Sequence, residues 1–107
     1  MAVYELTEEE KCELFGVLRA YYAEWGKMAK KFSERALKIM EQNNGEIILS
    51  ELERRMANGR CRLTSGVFWK ETIAAMAYLY YTSKVELVGK ADFVKPISTS
   101  IWKIKKR

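Results

Sequence analysis

From Leu14 onward, apolar side chains recur at alternating four- and three-residue steps through Leu18, Tyr21, Trp25, Met28 and Phe32. The row resumes at Ile39 after Arg35 takes an expected apolar place. That spacing predicts an amphipathic helix. Thr7 and Glu10 form a capping box at its start, and Asn43-Asn44-Gly45 closes it near Gln42, because Asn and Gly tolerate the left-handed conformation of a helix end. The β-branched run at 46–49 predicts a short strand. Ser50, with Glu53 as capping-box partner, starts a second helix that stops at Asn58-Gly59; Leu52 and Met56 face inward and Arg54 and Arg55 do not.

The stretch from Val67 to Tyr81 is the most apolar in the chain, interrupted only by Lys70, Glu71 and Thr72. Apolar residues on nearly every side of a helix predict an element surrounded by others. Its least apolar face, Lys70, Ala74, Ala77, Tyr78 and Tyr81, is the one left for a partner. Two alternating segments follow, 84–88 and 98–105, with Val85, Leu87, Trp102 and Ile104 inward and Ile101, Lys103 and Lys105 outward. The polar stretch 89–97 between them predicts a projecting loop.

An unbroken helix from 8 to 42 would be about 50 Å long, well beyond a domain of this size. Either the helix breaks, with Gly26 the weakest point, and packs on its own core, or it protrudes and pairs with another copy. A homodimer built on Leu18, Tyr21, Trp25 and Met28 is the expectation under the second arrangement.

Charge alters the picture at one end of the chain. The net charge is +5, yet residues 1–43 hold 7 cations against 8 acids while residues 67–107 hold 8 against 3. A cationic C-terminal part is a candidate polyanion surface. Histidine is absent, which removes the usual general bases and leaves Cys12 and Cys61 as half a tetrahedral metal site. Neither a phosphate loop nor a nucleophile-base set is present, so no enzyme, metal or cofactor is expected. The two thiols read as free and buried. The start of the chain lacks the pattern of a secretory leader and no run suits a bilayer, so a cytoplasmic location is the default expectation.

The order of helix, short strand, helix, helix and two-stranded wing from about Phe32 onward resembles the winged helix-turn-helix family. The expected fold is therefore mainly α with a small β wing, in one domain: a helical extension at 1–43 and a winged-helix core at 44–107. The family resemblance implies DNA contact by Arg54, Arg55, Arg60, Arg62, Thr64, Ser65 and Lys70 around the turn, and by Lys90, Lys95, Lys103 and Lys105 on the wing side. The available face of the 67–81 helix offers little Arg, Asn or Gln for reading bases, so the contact expected is with phosphates, as in a transcriptional regulator or architectural factor. Residues 73–87 also look like the C-terminal winged helix of kleisins, subunits of chromosome-condensing complexes. That resemblance implies protein docking without direct DNA contact, and Ala74, Ala77, Tyr78 and Tyr81, small residues flanked by tyrosines, are the patch the sequence offers for it.

Overall fold

A computed structural model describes residues 3–57, 67–93 and 95–105. Arg60, Arg62, Thr64, Ser65, Cys61 and the stop expected at Asn58-Gly59 lie outside them. The elements run α1 (Glu8–Gln42), β1 (Glu46–Ile48), α2 (Leu49–Ala57), α3 (Val67–Tyr81), β2 (Val85–Lys90) and β3 (Ser100–Ile104). The protein is thus mainly helical with a small antiparallel sheet.

α1 starts as its sequence dictates. Thr7 Oγ1 accepts from Glu10 N–H at 3.2 Å, and Glu10 Oε1 accepts from Thr7 N–H at 2.9 Å. Midway the helix reverses at Gly26, whose φ of 45° and ψ of −116° suit only a residue without Cβ. The break resolves the length problem: the longest dimension of the molecule is 32 Å, where a straight helix of 35 residues would span about 52 Å. Of the expected stripe, Leu14 and Leu18 are in the core and Tyr21, Phe32 and Ile39 pack against it, whereas Met28 is exposed. Leu14 and Leu18 from the first arm (8–25) and Ala29, Ala36 and Met40 from the second (27–42) are all fully buried. Asn44, at φ 62°, ends α1, with Gly45 N–H donating to Met40 O at 2.7 Å.

α3 is the hub. Positions 71–77 are all buried, and seven consecutive residues pass almost twice around a helix, so no side of its middle turns meets solvent. Much of that cover comes from the first arm of α1, where Phe15 stacks on Tyr80 at 5.0 Å and Tyr22 meets Tyr78 and Tyr81 at 6.1 and 5.0 Å between ring centroids. Thr72 is wholly buried; its Oγ1 donates to Phe68 O at 2.7 Å, so the hydroxyl carries no unpaired polarity into the core. The helix ends in a Schellman motif, with Ser83 at φ 60° and Lys84 N–H donating to Leu79 O at 2.9 Å.

The strands lie in the order β1-β3-β2, so the last strand in sequence is the central one. Ile47 faces Trp102, and Leu87 faces Trp102 from the other side. Trp102 is fully buried, and its Nε1 donates to Ser100 Oγ at 2.9 Å. Between Leu87 and Gly89 the register slips, leaving Val88 as an exposed bulge. Tyr4 then bridges the outer edge of β2, exchanging hydrogen bonds with Lys90 at 2.8 and 2.9 Å. This approach requires Gly89, because a Cβ there would lie 2.6 Å from Tyr4 O and 2.8 Å from Val3 Cγ1.

Several sequence expectations are corrected. Gly89 and Lys90 belong to β2 rather than to the loop, since the ladder resumes past the bulge with Ile101 and Ser100 of β3 as their partners, and Tyr4 bridges Lys90 on the opposite edge. The loop is not fully projecting: Ile97 packs on the core and Ser98 O accepts from Ser50 N–H at 2.8 Å. α2 begins at Leu49, one residue before Ser50. Ile101 is buried although it lies on the outer side of the sheet, beside Val3 and Ile48. Cys12 is exposed on α1 rather than buried.

Candidate nucleic-acid interface

The cationic residues singled out in the sequence do not form one surface of equal members. Lys90 is 3% exposed; its Nζ donates to Glu10 Oε1 and lies 5.2 Å from the centre of the Phe93 ring. A buried, paired ammonium does not meet a phosphate, so Lys90 is removed from the interface and becomes part of the fold. The carboxyl of Glu10 is correspondingly held below its ordinary range, first by the Lys90 hydrogen bond and then by the Thr7 N–H.

On β3, Lys103 is exposed but sits between Glu46 of β1 and Glu86 of β2 in the strand register. Opposite charges directly across both strands offset its field. Lys105 differs: its backbone N–H donates to Lys84 O at 3.0 Å, so two exposed lysines adjoin at that end of the sheet.

Arg54 and Arg55 lie on the outer side of α2, as expected, but both bond Glu51 Oε1, at 2.6 and 3.1 Å. Arg55 also donates to Asn43 Oδ1 at 3.1 Å, which fixes the direction of its guanidinium. The Glu51 carboxyl is lowered by Arg54 first and Arg55 after, against the opposing effect of its own burial. Lys70, in the first turn of α3, and Lys95, in the loop between β2 and β3, are exposed. Among the described residues neither has a carboxylate oxygen within 4 Å.

The two aromatic proposals are also altered. Ala74 and Ala77 are fully buried, so the face proposed for a protein partner is covered by the first arm of α1; only Tyr78 and Tyr81 reach its edge. Leu18 is likewise in the core and is not available to a second copy. Tyr21 and Trp25 are half-buried and stack on each other at 6.5 Å, while Met28 stays 57% exposed.

A set of cations that sequence reasoning passed over lies on the second arm of α1. Residues 27–43 hold five cations against two acids, an excess hidden by the acid-rich first arm when the two are summed. Lys27, Lys31, Arg35 and Lys38 are all exposed, and Arg35 and Lys38 line an open groove together with Ile39, Gln42 and Arg55. The spacing of four, four and three residues was the available signal.

No protein-family model, curated protein or solved structure matches this chain. No helix among the described residues is long and apolar enough to cross a membrane.

Proposed function

We propose that the protein is a winged-helix domain that binds double-stranded DNA through its phosphates, as a transcriptional regulator or architectural factor, without base reading along α3. The element order from 27 onward, helix, β1, α2, α3, β2 and β3, supports the winged-helix assignment, with residues 8–25 as an added helix. One observation carries the DNA reading: Lys70 and Lys95, at the two places where a winged helix meets a duplex, are exposed and free of carboxylate partners among the described residues. The covered middle of α3 argues against insertion of that helix along a groove floor, which leaves contact with the backbone.

A duplex titration across salt tests this reading. Affinity is expected to fall steeply between 50 and 200 mM salt and to differ little between unrelated sequences. The double variant Lys70→Glu with Lys95→Glu should weaken binding. A salt-insensitive affinity, or unaltered binding by that variant, would overturn it.

A protein-docking role is the second reading, favoured by the Tyr22–Tyr81 ring contact at 5.0 Å with both rings more than a third exposed. Tyrosines at a rim suit a protein contact. Loss of a co-purifying partner on Tyr81→Ala, with duplex binding absent, selects it over the first.

A further inference from the structure

We infer that the outward face of the second arm of α1, with Arg55 beside it, is a track for the phosphate backbone of a DNA duplex, separate from the start of α3 and the wing. It rests on the reading of the chain as a DNA-binding domain and adds a contact surface that the resemblance to winged helices did not suggest.

The argument begins with helix geometry. At 3.6 residues per turn Lys27, Lys31, Arg35 and Lys38 fall within about 80° of the circumference. The side of the arm away from them carries Ala29, Ser33, Ala36 and Met40, all buried in the core. Packing therefore fixes the direction in which the cations project. From Lys27 to Lys38 the row runs about 16 Å, the axial rise of about five nucleotides of one strand.

Their electrostatic state is the second step. Among the described residues, none of the four cations has a carboxylate oxygen within 4 Å. This contrasts with Lys90 and Lys103, each answered by a glutamate in contact or directly across the sheet, and with Arg54 and Arg55, two cations that share the one carboxylate of Glu51. At the far end of the row, Arg55 is held in direction by Glu51 and Asn43 and faces the groove shared with Arg35 and Lys38. An oriented guanidinium loses less freedom on meeting a phosphate than a free lysine does.

The chemistry of the row selects its occupant. A helix that binds a lipid surface sinks an apolar face into it. Here the apolar face of the arm is already spent on the core, leaving a rigid line of charge at regular intervals. That line complements a polymer with regularly repeated anions, and the backbone of DNA is the one the proposed function supplies.

The test compares two charge-reversal variants on a 30-base-pair duplex over 50 to 200 mM salt, with far-ultraviolet circular dichroism as a fold control. Lys31→Glu, Arg35→Glu and Lys38→Glu together should lower the slope of log affinity against log salt by roughly 0.9 per lost contact. Over that salt range the intact protein should then lose about 40-fold more affinity than the variant. An unchanged slope in this variant, with weakened binding in the Lys70→Glu and Lys95→Glu variant, overturns the track and leaves the proposed function standing. Failure of the intact protein to bind duplex overturns both, and so does retention by anionic vesicles in place of duplex. Glu34→Gln with Glu41→Gln removes the two carboxylates beside the row without touching the core, and should tighten duplex binding severalfold; no tightening also counts against the track.

Discussion

Lys90 Nζ donates to Glu10 Oε1 at 2.5 Å across 80 residues of chain, and the same oxygen accepts from the Thr7 N–H that opens α1. One carboxylate therefore serves both as the cap of the first helix and as the counter-ion of a lysine at the end of β2. The Lys90 side chain is 4% exposed and that of Glu10 19%, so the two ends of the pair differ in what their loss leaves behind. Glu10→Gln strands a buried cation, whereas Lys90→Met leaves an anion that water can reach. The first variant should show the lower urea midpoint; the reverse order would contradict the burial of Lys90.

The same pair sets a pH dependence. Because the folded-state pKa of Glu10 lies below its ordinary value of 4.5, its contribution to stability is complete above that value and is lost as pH falls through the lowered one. Glu51, lowered by Arg54 and Arg55, acts in the same direction. Urea midpoints measured from pH 7 down to pH 2 should fall on the acid side, and the fall should be shallower in Glu10→Gln.

Gly89→Ala should destabilise the protein by about 1–3 kcal/mol, the usual cost of forcing atoms into filled space. The obstacle is backbone, Tyr4 O at 2.6 Å, so a side-chain rotation does not relieve it. Limited proteolysis gives a second readout, with faster cleavage near Tyr4 in the variant.

Ser83→Gly should raise stability by about 1 kcal/mol, since serine there sits at φ 60°, where a Cβ is crowded. Gly26→Ala should do the opposite, by about 1–3 kcal/mol, because the reversal of α1 depends on a conformation that alanine resists. Thermal melts of the two variants displaced in opposite directions are the expected result.

Leu18 and Met28 belong to one stripe in the sequence yet lie in opposite environments. Leu18→Ala should cost about 2–5 kcal/mol as a core truncation, and Met28→Ala should stay within about 0.5 kcal/mol. Similar losses at both positions would mean that Met28 is covered in solution, as it would be by a second copy.

Much of the architecture was readable from local rules. The limits of α3 at Val67 and Tyr81, the Thr7–Glu10 cap and the stop at Asn43-Asn44-Gly45 all depend on neighbours within a few positions, which a linear pattern contains. The site was less readable for a physical reason. Whether Lys90 is surface or core depends on Glu10, and whether Ala74 and Ala77 are a face or an interior depends on how the first arm of α1 folds back at Gly26. Neither contact leaves a periodic trace. The cations at 27–38 were legible in their spacing, but averaging charge over residues 1–43 concealed them.

The position of β3 between β1 and β2 has a consequence for biosynthesis. Neither flanking strand has its hydrogen-bonding neighbour until Ser100–Ile104 has been translated, and Glu10 waits for Lys90 over nearly the same interval. A nascent chain shorter than that would carry its helices but no sheet, so all three strands should become ordered in one step, once β3 has emerged, rather than one after another during elongation.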